Sequence, residues 1–130
     1  MSLASPDPAP RAELSVPSVP RSVAQVRRFA RDACAPGSAT ADAVELLVSE
    51  VATNALVHGE GEVRVRVEAR EGVVRVEVDD ESPVLPVARS AGPTAEGGRG
   101  LALVTALSSS WGVLPRDDGK TVWFEVMAPR

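Results

Sequence analysis

A glutamate and the only asparagine of the chain stand four residues apart, at Glu50 and Asn54. The segment 39–58 around them carries apolar residues at helical spacing, which predicts an α-helix of about five turns. Residues four apart share one side of a helix, so both polar side chains are expected to project among the apolar ones. A carboxylate and an amide in that position cost free energy unless they meet partners or a ligand. The pair is therefore a candidate site.

Glu50 and Asn54 also have a structural interpretation. In that interpretation both side chains lie at the edge of the apolar stripe and hydrogen-bond to a neighbouring strand. The helix by itself leaves both interpretations open. The predicted apolar side comprises Ala43, Leu46, Leu47, Val51 and Val57, and the predicted solvent side comprises Asp42, Glu45, Ser49 and Thr53.

Glycines directly before a later helix are the second chemical feature. The run 97–101 reads Gly-Gly-Arg-Gly-Leu, and a helix is predicted from Arg99 or Gly100 to about Ser109. Glycines let the backbone approach an anion closely, and the first N–H groups of a helix favour negative charge. Glycines also end loops for geometric reasons alone. The run is neither a Walker loop, since it lacks a Lys-Ser/Thr ending, nor a dinucleotide fingerprint, which follows the first strand of a parallel unit.

Asp80 ends a valine-rich predicted strand and is the third feature. A carboxylate at a strand end that faces a cleft can accept a hydrogen bond from an exocyclic amine. The commoner role of the sequence Asp-Glu-Ser-Pro is to start a turn. No periodicity continues from Asp79 to Gly98, so this long segment is interpreted either as a surface excursion or as a lid that orders on ligand binding.

The elements that must position these residues are predicted from their periodicity. Valines alternate with charged residues in two strands around a short turn at 70–72, and a second turn signal at 117–119 separates two final strands. A sheet with valine on one face and charge on the other is covered on one side only. The fold class is therefore α+β, a two-layer sandwich with helices packed on one face of a mostly antiparallel sheet. The predicted elements are a first helix at 20–35, the long helix at 39–58, and strands at 63–68, 74–78, 111–114 and 121–127.

Composition bounds the domain organisation and the classes of function. The 130 residues predict one domain at 20–130 behind a flexible proline-rich tail at 1–19. A net charge of −4 and a pI near 5.0 argue against a nucleic-acid-binding face. The lone Cys34 permits no internal disulfide, and no apolar run approaches the roughly 20 residues of a membrane span. We expect a cytoplasmic protein that binds neither nucleic acid nor membrane.

Taken in order, these features resemble the Bergerat-fold ATPases, the superfamily of histidine kinases, gyrase-type topoisomerases and MutL-type repair proteins. Within it the chain is most similar to short stand-alone anti-sigma-factor serine/threonine kinases of actinobacterial type, over residues from about 20 to 127. The nine residues from Glu50 to His58 resemble the N box of the family. That resemblance implies ATP and Mg²⁺ as cofactors, with the oxygen of Asn54 on the metal, His58 near the phosphates and Glu50 as the catalytic group that orients or deprotonates the attacking hydroxyl.

Three further boxes complete the resemblance. The first glycine box supplies an aspartate for the adenine amine, which falls on Asp80, with Asp79 as a one-residue alternative. The second, Gly98-Arg99-Gly100-Leu101, cradles phosphates, and the last, Gly119-Lys120-Thr121, supplies a threonine beside the adenine. In this chain Ser82-Pro83 stands where the first glycine belongs. Besides Glu50, the resemblance implies an ATP site made of Asn54, His58, Asp80, Ser82, Gly98, Arg99, Gly100, Leu101 and Thr121.

Two functions of different class remain. By resemblance the chain is a protein kinase whose partners are a small anti-sigma antagonist, phosphorylated on Ser or Thr, and a sigma factor. The rival is a non-catalytic module that holds a nucleotide and sequesters its partner. Glu50 and Asn54 favour the enzyme, whereas Pro83 favours the module because proline fixes φ and removes a donor at the start of the lid. The sequence leaves homodimer formation open.

Overall fold

The fold is known from a computed structural model that describes residues 11–34, 39–58, 61–70, 72–82 and 104–127. A five-stranded sheet, in the order β1-β2-β3-β5-β4, has antiparallel pairing throughout. Both long helices contact it, and the α+β prediction is confirmed. The elements are β1 Arg11–Pro17, α1 Ser22–Asp32, α2 Ala39–His58, β2 Glu62–Arg70, β3 Val73–Asp80, β4 Ser110–Arg116 and β5 Gly119–Met127, and residues 104–107 are also helical.

One face of the sheet forms the hydrophobic core with the helices. Strand side chains alternate between faces, so the valines of β2 and β3 all point to the same side. On β5 the residues of the matching parity are buried with them, and Phe124 is the largest fully buried side chain. The helices α1 and α2 pack against each other, and α2 also packs against β2, β3 and β5. In the described ranges, no helix combines the length and the apolar character needed to cross a membrane.

Residues 11–17 correct the prediction of a tail that extends to residue 19. They form β1, which pairs with β2 along its whole length, from Arg11 opposite Glu68 to Pro17 opposite Glu62. Leu14 and Val16 share the helix-covered face with the valines of β2, and Val16 is fully buried. The prolines suggested a tail, yet an edge strand tolerates proline because one of its edges needs no donor.

The helix α2 has the predicted bounds, but its buried side is wider than predicted and turned around the axis. Leu46, predicted to be buried, is 42% exposed, and Val44 and Val48 are fully buried instead. The physical reason is that α2 contacts both α1 and the sheet, so two adjoining stripes of its surface are covered. Glu50 and Asn54 consequently lie at the border of the buried side, and both are half-buried.

The opposite face of the sheet is charged and largely paired within itself. Arg66 on β2 donates two parallel hydrogen bonds to Asp79, at 2.7 and 2.8 Å, and a third to Glu77 at 2.8 Å. Arg75 extends the network from Glu77 to Glu125. The predicted division into a valine face and a charged face is confirmed.

Candidate functional site

Glu50 and Asn54 occupy adjacent turns of α2. Their neighbours Val51 and Ala55 are buried and fix the rotation of the helix, so both polar side chains emerge where the packed side meets the exposed side. Among the described residues, neither side chain has a hydrogen-bonding partner. The alternative of a structural pair bonded to a neighbouring strand therefore gains no support within those ranges. His58 ends the helix, and its side chain lies outside the described structure.

Asp80 is the last residue of β3 and lies on the helix-covered face. It has the same parity as Val74, Val76 and Val78, and its side chain is only 1% exposed. Its cross-strand partner is Lys120 at the start of β5, whose ammonium nitrogen lies 2.9 Å from Oδ2 and 3.0 Å from Oδ1. The two charges neutralise each other in a position where an unpaired carboxylate would be costly.

Ser82 closes a turn on this ion pair. Its backbone N–H donates to Oδ1 of Asp80 at 2.8 Å, which is the hydrogen bond of an Asx turn. The ammonium of Lys120 also reaches the carbonyl oxygen of Ser82, at 3.3 Å. The turn-forming role predicted as the alternative for Asp80 is thus confirmed, and the same carboxylate carries the buried charge.

Thr121 lies beside Asp79 rather than beside Asp80. Its hydroxyl donates to Oδ1 of Asp79 at 2.7 Å, on the face of the sheet away from the helices. Burial opposes ionisation of Asp79, but hydrogen bonds from Arg66, Thr121 and Arg116 outweigh it and lower the pKa of this carboxyl group. The structure therefore brings Asp80 and Lys120 together on one face and Asp79 and Thr121 on the other.

Gly119 makes the close approach of these two strands feasible. It has a φ of +151°, and a Cβ atom placed on it would overlap the carbonyl oxygen of Asp80. Any side chain there would push β5 away from the end of β3, and the pairing of Asp80 with Lys120 would be lost.

Five of the sequence-predicted positions lie outside what the structure describes. They are the side chain of His58 and the whole of Gly98, Arg99, Gly100 and Leu101. The predicted phosphate-binding glycines and the predicted lid at 79–98 beyond Ser82 are therefore neither placed nor excluded.

Lys120 stands beside Thr121 in the last box of the family resemblance, but no role in the site was predicted for it. The alternation of side chains along β5 could have identified it. Lys120 falls on the same face of the strand as the buried residues Val122, Phe124 and Val126. The chain's only lysine, on the apolar side of a strand, requires an anionic partner. Asp80 has the matching parity on β3.

Comparison with known proteins decides the family. The sequence profile of the histidine kinase-like ATPase domain matches residues 16–126, which is most of the chain. This chain belongs to that family. The match begins within β1, in agreement with the strand's place in the sheet.

Two curated relatives and two solved structures are similar to this member of the family. The sensor histidine kinase component HK1 and the probable sensor histidine kinase HK, from two strains of Mycobacterium tuberculosis, are each 39% identical over 83 residues, or 55% of this chain. The chain spans 49% of the first relative and 22% of the second.

The structural likeness extends over more of the chain. The RsbU and RsbW domains of Rv1364c from Mycobacterium tuberculosis align over 94% of this chain and 33% of that one, with a TM-score of 0.67 at 21% identity, which shows a shared fold. The histidine kinase domain of the blue-light activated histidine kinase from Erythrobacter litoralis aligns over 67% of this chain and 44% of that one, with a TM-score of 0.51 at 29% identity.

The residues present fit the groups that this family implies. An ATPase domain implies ATP, and the fold offers a buried carboxylate at a strand end together with two half-buried polar groups on α2. Mg²⁺ takes oxygen ligands and is usually held by one or two protein groups, with phosphates and water completing its shell. The amide oxygen of Asn54, which has no partner within the described structure, suits that role.

Proposed function

We propose that this ATP-binding domain is a protein serine/threonine kinase in which Glu50 is the catalytic base. The observation that supports this proposal is the position of Glu50 and Asn54 and the hydrogen bonding of their side chains. Both lie at the border of the packed side of α2, one helical turn apart, and neither has a hydrogen-bonding partner among the described residues. Two polar groups left without partners at the edge of a core are suited to a ligand and a reaction rather than to structure.

The proposed reaction transfers one phosphoryl group. The oxygen of a substrate hydroxyl forms a bond to the γ-phosphorus, the bond from that phosphorus to the β–γ bridging oxygen breaks, and ADP leaves with the electron pair. Glu50 accepts the hydroxyl proton. Asn54 would hold Mg²⁺ together with the phosphates, and the ion would supply charge stabilisation for the transferring group. His58 and the segment from Gly98 to Leu101 are proposed to contact the phosphates.

The base end of the nucleotide is proposed to contact Asp80. Of the two adjacent aspartates, only Asp80 points toward the helix layer, which also carries Glu50 and Asn54. Asp79 has its carboxylate in contact with Arg66, Arg116 and Thr121 on the opposite face. Ser82 and Thr121 are proposed to line the same end of the site through their backbone, since the side chain of Thr121 points away.

The proposed substrate is a small protein that antagonises an anti-sigma factor, and the second proposed partner is a sigma factor. This rests on the likeness of the boxes to anti-sigma-factor kinases and on the fold shared with the RsbU and RsbW domains. A cytoplasmic location follows from those partners.

Exchange of Glu50 for glutamine tests the proposed base. Glu50→Gln keeps the shape of the side chain but removes its ability to take a proton, so we expect nearly unchanged nucleotide affinity and a fall in phosphoryl transfer of roughly 10²-fold or more. Transfer is measured with labelled ATP and candidate antagonist proteins from the same genome. Glu45→Gln is the matched control, since it removes an equal charge from the same helix at a position paired with Arg27 and Arg31.

Transfer by Glu50→Gln at the wild-type rate would remove Glu50 from the mechanism. Wild-type protein that binds Mg·ATP and its partner but transfers no phosphate would leave the second candidate function, a nucleotide-binding module that sequesters a partner. One observation favours a module that is seldom occupied by nucleotide: the carboxylate proposed to contact the base already forms an ion pair with Lys120.

A further inference from the structure

Lys120 lies where a nucleotide base would have to approach Asp80. The two side chains are on adjacent strands and on the helix-covered face, and they are 6% and 1% exposed. Lys120 lies in the last box of the resemblance, where only Thr121 has an assigned role, and it is the only lysine in the chain.

The ammonium group of Lys120 is fully engaged. Its three N–H groups match three acceptors, at 2.9 Å on Oδ2 of Asp80, 3.0 Å on Oδ1 and 3.3 Å on the carbonyl oxygen of Ser82. The carboxylate is nearly as fully used, because Oδ1 also accepts from the backbone N–H of Ser82 at 2.8 Å. Counting the donors among the described residues, Oδ2 is the one oxygen of this carboxylate that can still accept a further hydrogen bond.

The ammonium group and the amino group of adenine make the same kind of contact. Both donate N–H bonds to a carboxylate, but the ammonium group carries a full charge and forms the stronger bond. The amino group of an incoming base must therefore either donate to the one remaining acceptor position on Oδ2 or displace the buried ammonium group of Lys120. In both cases the hydrogen bond of the amino group contributes less binding free energy than it would with an unoccupied carboxylate.

We propose that Lys120 is a specificity-determining residue that occupies the base-recognition carboxylate of this domain. It takes the acceptor positions of Asp80 that the 6-amino group of adenine would use, and so lowers both nucleotide affinity and the preference for a 6-aminopurine. This inference rests on the proposed function, in which Asp80 contacts the base.

Two nucleotides that differ only in the amino group test the inference. The full chain is titrated calorimetrically with Mg·ATP and with the Mg²⁺ complex of purine riboside triphosphate, which lacks that group. The quantity compared is the Kd for purine riboside triphosphate divided by the Kd for ATP. An unhindered bond to a carboxylate corresponds to a ratio of roughly tenfold to a hundredfold. We expect a wild-type ratio below about tenfold and a ratio about tenfold higher in Lys120→Met. The ratio cancels any general effect of the lost charge on the phosphates.

Arg116→Met is the matched control. Arg116 is a cation of the same hairpin and lies 2.9 Å from the neighbouring carboxylate, Asp79, on the opposite face. Its removal should leave the ratio unchanged. Circular dichroism verifies the fold of each variant, and Lys120→Thr replaces Lys120→Met if the longer side chain prevents folding.

Each outcome decides a different claim. A wild-type ratio of tenfold or more overturns the inference even if neither lysine variant folds. A ratio in the lysine variants no higher than in wild type, or a control that raises it equally, also overturns the inference while nucleotide binding stands. Absence of binding of either nucleotide to wild type and to the variants overturns the proposed function and the inference together.

Discussion

Asp79 and Asp80 are chemically identical neighbours at the end of β3, yet the sheet gives them opposite environments. Asp79 lies on the charged face, within reach of two arginines and a threonine. Asp80 lies on the apolar face, where Lys120 is its ion-pair partner. The difference arises only from strand alternation, because consecutive side chains point to opposite faces. A one-residue ambiguity in a sequence motif is therefore a choice between two sides of a sheet.

The largest expected effect of this difference is on stability. Asp80→Ala would leave the ammonium group of Lys120 buried without a counter-charge, and we expect a loss of about 3–5 kcal/mol in the free energy of unfolding. Asp79→Ala should cost about 1–2 kcal/mol, since Arg66 retains Glu77 and Arg116 is partly exposed. Urea denaturation of both variants measures the two values. A larger loss at Asp79 would contradict the assignment of the two environments.

The second effect is on nucleotide affinity. Asp80→Asn should raise the Kd for ATP several-fold, up to about tenfold, because it removes a proposed contact to the base that Lys120 already weakens. Asp79→Asn should change the Kd by less than about twofold, because that side chain faces away from the helix layer. Calorimetry on folded protein measures both. Equal losses, or a larger loss at Asp79, would place the motif one residue earlier.

The smallest expected effect is on the pH dependence of stability. The pKa of Asp79 is lowered in the folded protein, so unfolding at acid pH takes up a proton at this group. The stability it contributes is present above the unfolded pKa and is lost as the pH falls through the folded pKa. We expect the free energy of unfolding to decrease below about pH 4, with a slope that is smaller by up to about 1.4 kcal/mol per pH unit in Asp79→Asn. An unchanged slope would show that Asp79 is not held ionised by its arginines.

Periodicity predicted the elements better than it predicted their surroundings. The bounds of α2 and the valine face of β2 and β3 follow from spacing that is visible in the chain. The burial of Val44 and the exposure of Leu46 could not be predicted in the same way, because they depend on where α1 and the sheet cover α2. The strand at 11–17 was obscured by nearby prolines, although Leu14 and Val16 alternate correctly.

The candidate site likewise combines residues that the sequence predicts with contacts that depend on the fold. Glu50, Asn54 and Asp80 were identifiable from residue type and position, since each is a polar group on or beside an apolar pattern. The ion pair between Asp80 and Lys120 joins residues 40 positions apart, and its formation depends on the antiparallel register of β3 and β5. That register also places the hydroxyl of Thr121 on Asp79, which the family's pattern alone did not indicate.

The central claim is the proposal that this domain binds an adenine nucleotide with Mg²⁺ through Asn54 on α2 and Asp80 on β3. Thermal unfolding of nucleotide-free wild-type protein, with and without Mg·ATP, tests it most directly. Ligand at 100 times its Kd adds about 2.7 kcal/mol to the free energy of unfolding, so we expect Tm to rise by several degrees. An unchanged Tm at millimolar Mg·ATP, together with no heat in calorimetric titration, would contradict the claim.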